Sequence, residues 1–318
     1  MLLEAPTHCG ARFGGAPRTG SLRWIPNLSV LYRELPLLER LAAAGAAGFD
    51  AVELWWPFDS GLPAAGEMDD FVRAVTDSGV ELYAMNLYGG DTCAGERGVL
   101  SHPERVAEFY ASLAVAKEVA VRLGTRFFNA PYGRRRHGLD PGDQGATGET
   151  SLAFAARELA PLGGTVLLEP LSGIPDYPLN TAADALAVAS RARERAGFDN
   201  LALLLDQYHL MTNGEDVVAL VRQHATMVAH VQVADVPNRG EPGSGEALAT
   251  ITAMVAALEE IAYDGVLALE YVPTTSTEHS LESWRSVFSR TTVGEVRKDC
   301  LPHRTYARPV GQLGEVRP

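Results

Sequence analysis

Short apolar runs alternate with longer amphipathic stretches along the chain, a rhythm that predicts alternating strands and helices. Runs rich in β-branched and aromatic residues fall at 25–32 (IPNLSVLY), 51–57 (AVELWWP), 81–88 (ELYAMNLY) and 125–132 (TRFFNAPY). Four more follow at 165–171 (TVLLEPL), 201–209 (LALLLDQYH), 228–236 (VAHVQVADV) and 266–272 (VLALEYV). Between them, LPLLERLAAAGAAG, PERVAEFYASLAVAKEVAVRLG and ATITAMVAALEEIA repeat apolar residues every three and four positions, as a helix with one buried face does. The strands themselves are almost continuously apolar, as a parallel sheet covered by helices requires. Eight strand–helix units in a chain of this length predict an α/β fold, a (β/α)8 TIM barrel. The barrel domain is expected over 24–290, with an N-terminal extension at 1–23 and a C-terminal tail at 291–318.

The connections have their own pattern. GFDAVEL, GFDNLALLLD and YDGVLALE each run from a tight turn into a strand, so one helix-to-strand connection is used three times. Connections into strands are short, whereas three out of strands are long, at 89–104, 133–149 and 237–246. In a barrel the long loops gather at the C-terminal mouth, where active sites form. An open doubly wound sheet is the alternative, but no convincing G-x-G-x-x-G opens a helix after a strand.

Composition narrows the function. Forty acids against 27 bases give a net charge of −13, which argues against binding a nucleic-acid backbone or an anionic membrane. No run is apolar for long enough to span a membrane, and the first 20 residues lack the core of a signal peptide. Cys9, Cys93 and Cys300 are odd in number and far apart, as expected of free thiols in a reducing cytoplasm. The two lysines, Lys117 in a helical pattern and Lys298 in the tail, are poorly placed for Schiff-base chemistry in a barrel mouth.

The candidate chemistry lies at the ends of the last four strands. TVLLE ends on Glu169, LALLLD on Asp206 and VLALE on Glu270, while VAHVQ carries Gln232. Inward side chains of successive barrel strands converge at the mouth, so three carboxylates and one amide oxygen meet there. Buried carboxylates need protons or a cation, and all-oxygen ligands point to Mg²⁺ or Mn²⁺. His209, three residues past Asp206, and Arg239, in the loop after the seventh strand, are candidate substrate ligands. Glu96 and Arg97, after the third strand, are weaker ones, and either Trp55 or Trp56 is placed to wall the pocket. His230 shares the parity of Gln232 one layer deeper and reads as a hydrogen-bonded core histidine. RRRHG at 134–138 reads as a solvated loop face.

Several of these segments together resemble the hydroxypyruvate isomerase family of xylose-isomerase-like TIM barrels. They are NLSVLYRELPLLERLAAAGAAGFDAVELWWP, GDTCAGERGVLSHPER, LLEPLSGIPDYPLNT, LLLDQYHLMTNGED, HVQVADVPNRGEPGSGE and YDGVLALEYVP, in order over about residues 24–275. The segment NAPYGRRRHGLDPGD, the head and the tail carry no match. The resemblance implies a divalent metal on Glu169, Asp206, Gln232 and Glu270, with the two glutamates as the acid–base pair. Gln232 stands where related keto-sugar epimerases carry His, and Ser172 where the family usually has Asn. The implied reaction interconverts hydroxypyruvate and tartronate semialdehyde through an enediolate. A keto-sugar 3-epimerase, a four-carbon 2-oxo acid isomerase and a non-catalytic binding or accessory barrel are the alternatives. The expected partner is a small-molecule substrate, with no nucleic acid and no membrane. The tail either packs on the barrel or reaches a neighbouring subunit of a homo-oligomer.

Overall fold

A computed structural model of the chain describes residues 18–19, 22–243 and 247–291. Strand β1 (Arg18–Thr19) pairs antiparallel with β2 (Leu22–Pro26). The next strands are β3 (Ala51–Leu54), β4 (Glu81–Asn86), β5 (Phe127–Asn129) and β6 (Thr165–Leu168). They are followed by β7 (Leu201–Asp206), β8 (Val228–Val233) and β9 (Val266–Leu269). β2 to β9 are parallel, in the order β2-β9-β8-β7-β6-β5-β4-β3. The open ends meet where Asn27 bridges to Glu53 and Leu28 N donates to Glu53 O at 2.9 Å, so the barrel is nearly closed.

Helices α1 (Leu37–Ala46), α2 (Ala65–Ser78), α3 (Val106–Leu123), α4 (Pro141–Leu159) and α5 (Ala182–Ala196) wrap the outside. α6 (Gln207–Thr212), α7 (Val217–Gln223), α8 (Leu248–Glu260) and α9 (Thr277–Thr291) complete the ring. Their apolar faces and the outward strand residues form one large core, while two small clusters sit apart from it. These are Ile25, Ala51, Val266 and Ala268, and Leu167, Ala202 and Leu204, which alternate with the core-facing residues of the same strands and fill the barrel interior. The repeated turn into a strand has a common backbone. Gly48 (φ 91°) and Gly197 (φ 71°) take the left-handed conformation before Phe49 and Phe198, and Ala262 (φ 54°) takes it before Tyr263. No described helix is long and apolar enough to cross a membrane.

Three expectations are corrected here. The first strand runs 22–26 rather than 25–32: Ser29 N donates to Asn27 Oδ1, and the amides of Val30 and Leu31 donate to Asn27 O, which turns the chain. Its apolar residues Leu28, Val30 and Leu31 are buried all the same, off the strand. The long loop 133–149 becomes helix from Pro141, capped by Asp140, whose carboxylate accepts from the amides of Gly142 and Asp143. Three glycines hide this helix from propensity, and Gly148 has a packing reason: any Cβ there would overlap the Tyr132 ring. The run 201–209 is strand only to Asp206, which then caps α6 by accepting from the amides of Tyr208 and His209. In RRRHG, residues 135–138 are exposed as expected, although Arg134 is half-buried and donates to Pro175 O. Residues 1–17, 20–21, 244–246 and 292–318 lie outside the described residues, and with them Cys9, Cys300, Lys298 and almost all of the extension and the tail.

Candidate active site

Strand alternation carries four polar side chains to one end of the barrel. Leu167 is followed two residues on by Glu169, Ala202 and Leu204 by Asp206, His230 by Gln232, and Val266 and Ala268 by Glu270. Asp206 and Gln232 stand opposite one another in the β7–β8 register, and Gln232 opposite Ala268 in the β8–β9 register. All four expected ligands therefore come from the last four strands to one mouth. Asp206, Gln232 and Glu270 are at most 3% exposed.

The counter-charge includes a group that residue types alone did not place there. Arg239 Nη2 lies 2.9 Å from Glu270 Oε1 and 3.3 Å from Asp206 Oδ2, and its guanidinium stacks 5.2 Å from the centre of the Tyr208 ring. Burial works against its charge, but attraction to Glu270, Asp206 and Glu169 outweighs this and raises its pKa. One guanidinium among three carboxylates still leaves two formal negative charges. Burial, with the Asp206 charge beside it, pushes the Glu169 carboxyl up to about 8. Burial also pushes Glu270 well above the usual carboxylate range, against the pull of Arg239.

Each side chain is held by a named neighbour. Asn129 Nδ2 donates to Glu169 Oε2 at 2.7 Å, and Trp55 Nε1 donates to Glu270 Oε1 at 3.1 Å. Trp55 thus walls the site, while the Trp56 ring packs against Phe58 and Tyr88. His209, placed by α6, accepts at Nδ1 from the Ser172 amide at 3.0 Å, and Ser172 Oγ lies 2.8 Å from the same atom. An amide N–H can only donate, so the proton of the neutral ring sits on Nε2. Burial lowers the His209 pKa to about 4, which keeps the ring neutral. Nε2 lies 3.7 Å from Asp206 Oδ2 and 3.9 Å from Glu169 Oε1, so it is a donor facing the carboxylates rather than a metal ligand.

The donor set fits a hard divalent cation. Atoms of Glu169, Asp206 and His209 gather within 4.8 Å of one another. Gln232 Oε1 is buried and has no hydrogen-bond partner among the described residues, which leaves a bare acceptor. Three carboxylates and a bare amide oxygen are ligands that Mg²⁺ and Mn²⁺ accept, and a dication balances the two uncompensated charges.

Glu96 and Arg97 are not brought to this cluster by any hydrogen bond among the described residues. Glu96 pairs with Arg105 and accepts from Asp91 N, and Arg97 donates to Thr92 O and Glu96 O, so both brace their own loop. His230 is the buried, hydrogen-bonded histidine expected, its Nε2 bonded to Glu53 Oε2. Sequence reasoning misses Glu53, Asn27 and Asn129, although each is a polar residue at the edge of an apolar run, the same signal that points to Glu169, Asp206, Gln232 and Glu270.

Residues 41–287 match the family model described as xylose isomerase-like TIM barrel. A putative hydroxypyruvate isomerase of Streptomyces coelicolor is 42% identical over 266 residues, covering 82% of this chain and 95% of that protein. A 2-oxo-tetronate isomerase of Cupriavidus necator is 34% identical, covering 81% of this chain and 96% of that protein. A crystal structure titled AP endonuclease, family 2, from Brucella melitensis superposes with a TM-score of 0.74 at 32% identity, over 83% of this chain and 98% of that one. The chain is an isomerase of the xylose isomerase-like TIM barrel family, and within it belongs with the hydroxypyruvate isomerases.

Proposed function

We propose that the chain interconverts hydroxypyruvate and tartronate semialdehyde (2-hydroxy-3-oxopropanoate) by moving a proton between adjacent carbons. The placement of the bare Gln232 oxygen opposite Asp206 in the β7–β8 register, with Glu169 and Asp206 clustered at His209 and Arg239 bridging Asp206 to Glu270, carries the reading, and the 42% identical relative named a putative hydroxypyruvate isomerase supports the substrate.

In this reading Glu169, Asp206, Gln232 and Glu270 hold a divalent cation, Mg²⁺ or Mn²⁺. When bound, the cation polarises the substrate carbonyl and stabilises negative charge on oxygen. Glu169 and Glu270 are the acid–base pair. One carboxylate removes a proton from the hydroxymethyl carbon, the C–H electrons form the enediolate double bond, and the other carboxyl delivers a proton to the former carbonyl carbon, while the hydroxyl proton passes from the hydroxymethyl oxygen, which becomes the aldehyde oxygen, to the former carbonyl oxygen. Burial raises both carboxyls above the ordinary carboxylate range, and a bound dication would favour their ionised form, which a base needs. His209, with its proton on Nε2, donates to a substrate oxygen. Arg239 takes the substrate carboxylate, a planar partner for its fork of N–H groups.

The relative named 2-oxo-tetronate isomerase supports a second substrate, a four-carbon 2-oxo acid handled by the same proton transfer. The test is proton exchange in D₂O followed by NMR, with and without chelator, on both acids. Chelator-sensitive deuterium uptake at the hydroxymethyl carbon of hydroxypyruvate, with an aldehyde signal appearing, is the expected result. Turnover of the four-carbon acid alone moves the substrate to that class. Exchange with neither acid, by a protein that binds Mn²⁺, refutes both substrates.

A further inference from the structure

Beneath the candidate ligands lies a buried polar group that the proposed chemistry does not use. Glu53 is 3% exposed, at the point where β2 and β3 close the barrel. The β3–β4 register shifts between Val52 and Glu53, and such an irregularity re-aims a side chain. The Glu53 carboxylate receives three donors from two elements. Asn27 Nδ2, just past β2, and Gln232 Nε2, on β8, each donate to Oε1 at 2.8 Å. His230 Nε2, also on β8, bonds to Oε2. The His230 ring is fixed in turn by stacking on Tyr83 and Phe127, with ring centres 5.9 and 6.3 Å away.

Gln232 has two ends of nearly equal shape and opposite chemistry: the oxygen binds a cation and the NH₂ group repels one. Sterics do not choose between them. A carboxylate behind the amide does, because it accepts and so draws the nitrogen toward itself. The observed arrangement has Nε2 on Glu53 and Oε1 buried without a partner.

We infer that Glu53 is a positioning residue that acts through Gln232: it pins the amide nitrogen and thereby presents Gln232 Oε1 as a preformed ligand for a divalent cation. Asn27 and His230 hold Glu53 in place, so the ligand stands ready before any cation arrives. Groups behind a metal ligand commonly carry a 10–100-fold share of metal affinity. The inference rests on the reading of these side chains as a cation site and deepens it.

The test is a double-mutant cycle on metal-stripped protein, with Mn²⁺ binding read by electron paramagnetic resonance and calorimetry. The four proteins are wild type, Glu53→Gln, Gln232→Ala and the double variant, each confirmed folded by circular dichroism. Glu53→Gln is expected to weaken Mn²⁺ binding about 10-fold or more in wild type and less than about 2-fold in the Gln232→Ala background. Equal losses in both backgrounds, or no loss in either, overturn the inference while leaving the cation site in place. A wild-type protein that does not bind Mn²⁺ overturns the cation reading, and the inference with it. Wild-type protein labelled with ¹⁵N in its glutamine side chains gives a check that needs no variant. The Gln232 NH₂ hydrogens are expected to be protected from exchange before Mg²⁺ is added as well as after. Protection that appears only with Mg²⁺ overturns the preformed ligand.

Discussion

Arg239→Leu tests the electrostatics of the barrel mouth. The substitution keeps much of the apolar stem and removes the guanidinium that lies 2.9 Å from Glu270 and 3.3 Å from Asp206. Breaking one side of a buried ion pair costs about 3–5 kcal/mol, because the remaining charge is stranded. The cost depends on whether the carboxyls are ionised. Glu169 has a folded pKa of about 8 against a model value of 4.5. A carboxyl raised in this way contributes stability below its unfolded pKa and loses it as pH rises through the folded pKa, so the window runs from about pH 4.5 to about pH 8. At about 1.4 kcal/mol per unit, chelator-treated wild type should lose roughly 3 kcal/mol between pH 5.5 and 8 through Glu169 alone. In Arg239→Leu that slope steepens. The gap between the variant and wild type is expected to widen from pH 5.5 to pH 8. Urea unfolding of both proteins at the two pH values, with chelator present, measures the difference. Equal losses at pH 5.5 and pH 8 would refute the argument and assign the role of Arg239 to packing on Tyr208.

Further outcomes follow from other parts of the site and fold. Glu270→Gln should abolish isomerisation, by about 10³-fold or more, while thermal unfolding of the chelator-treated protein at pH 8 shows no loss of stability, since a buried carboxylate has gone. Ser172→Ala keeps the backbone amide that fixes the His209 tautomer and should cost activity less than about 10-fold, whereas His209→Phe, which has no donor, should cost about 100-fold or more; equal losses in steady-state rates would contradict the donor role. Gly148→Ala places a methyl group against the Tyr132 ring and should destabilise by about 1–3 kcal/mol in denaturant unfolding. Saturating Mn²⁺ should raise the melting temperature of chelator-treated protein, more at pH 8 than at pH 6, and Gln232→Ala should reduce that rise.

The legible part of the chain was the part governed by period. Strand alternation is local, so the position of Glu169, Asp206, Gln232 and Glu270 on their strands implied their common direction, and eight apolar runs implied a barrel. Asp206 was readable as a strand end because LALLL precedes it, but not as the cap of α6, since capping depends on where the chain turns next. The helix from Pro141 was obscured for the same reason: Gly142, Gly145 and Gly148 weaken its propensity, and only packing against Tyr132 explains Gly148.

By itself the sequence determined the fold class, the family and the common barrel end of Glu169, Asp206, Gln232 and Glu270, because these depend on residue type, period and motif order along the chain. The tertiary structure alone decided what those residues face. It placed Arg239 between Asp206 and Glu270, gave Glu96 and Arg97 local hydrogen-bond partners, set the His209 proton on Nε2, and put Glu53 behind Gln232. Each is a contact between residues far apart in the chain or made by the folding of a loop. Their energies come from distance and burial, which arise only when the barrel closes.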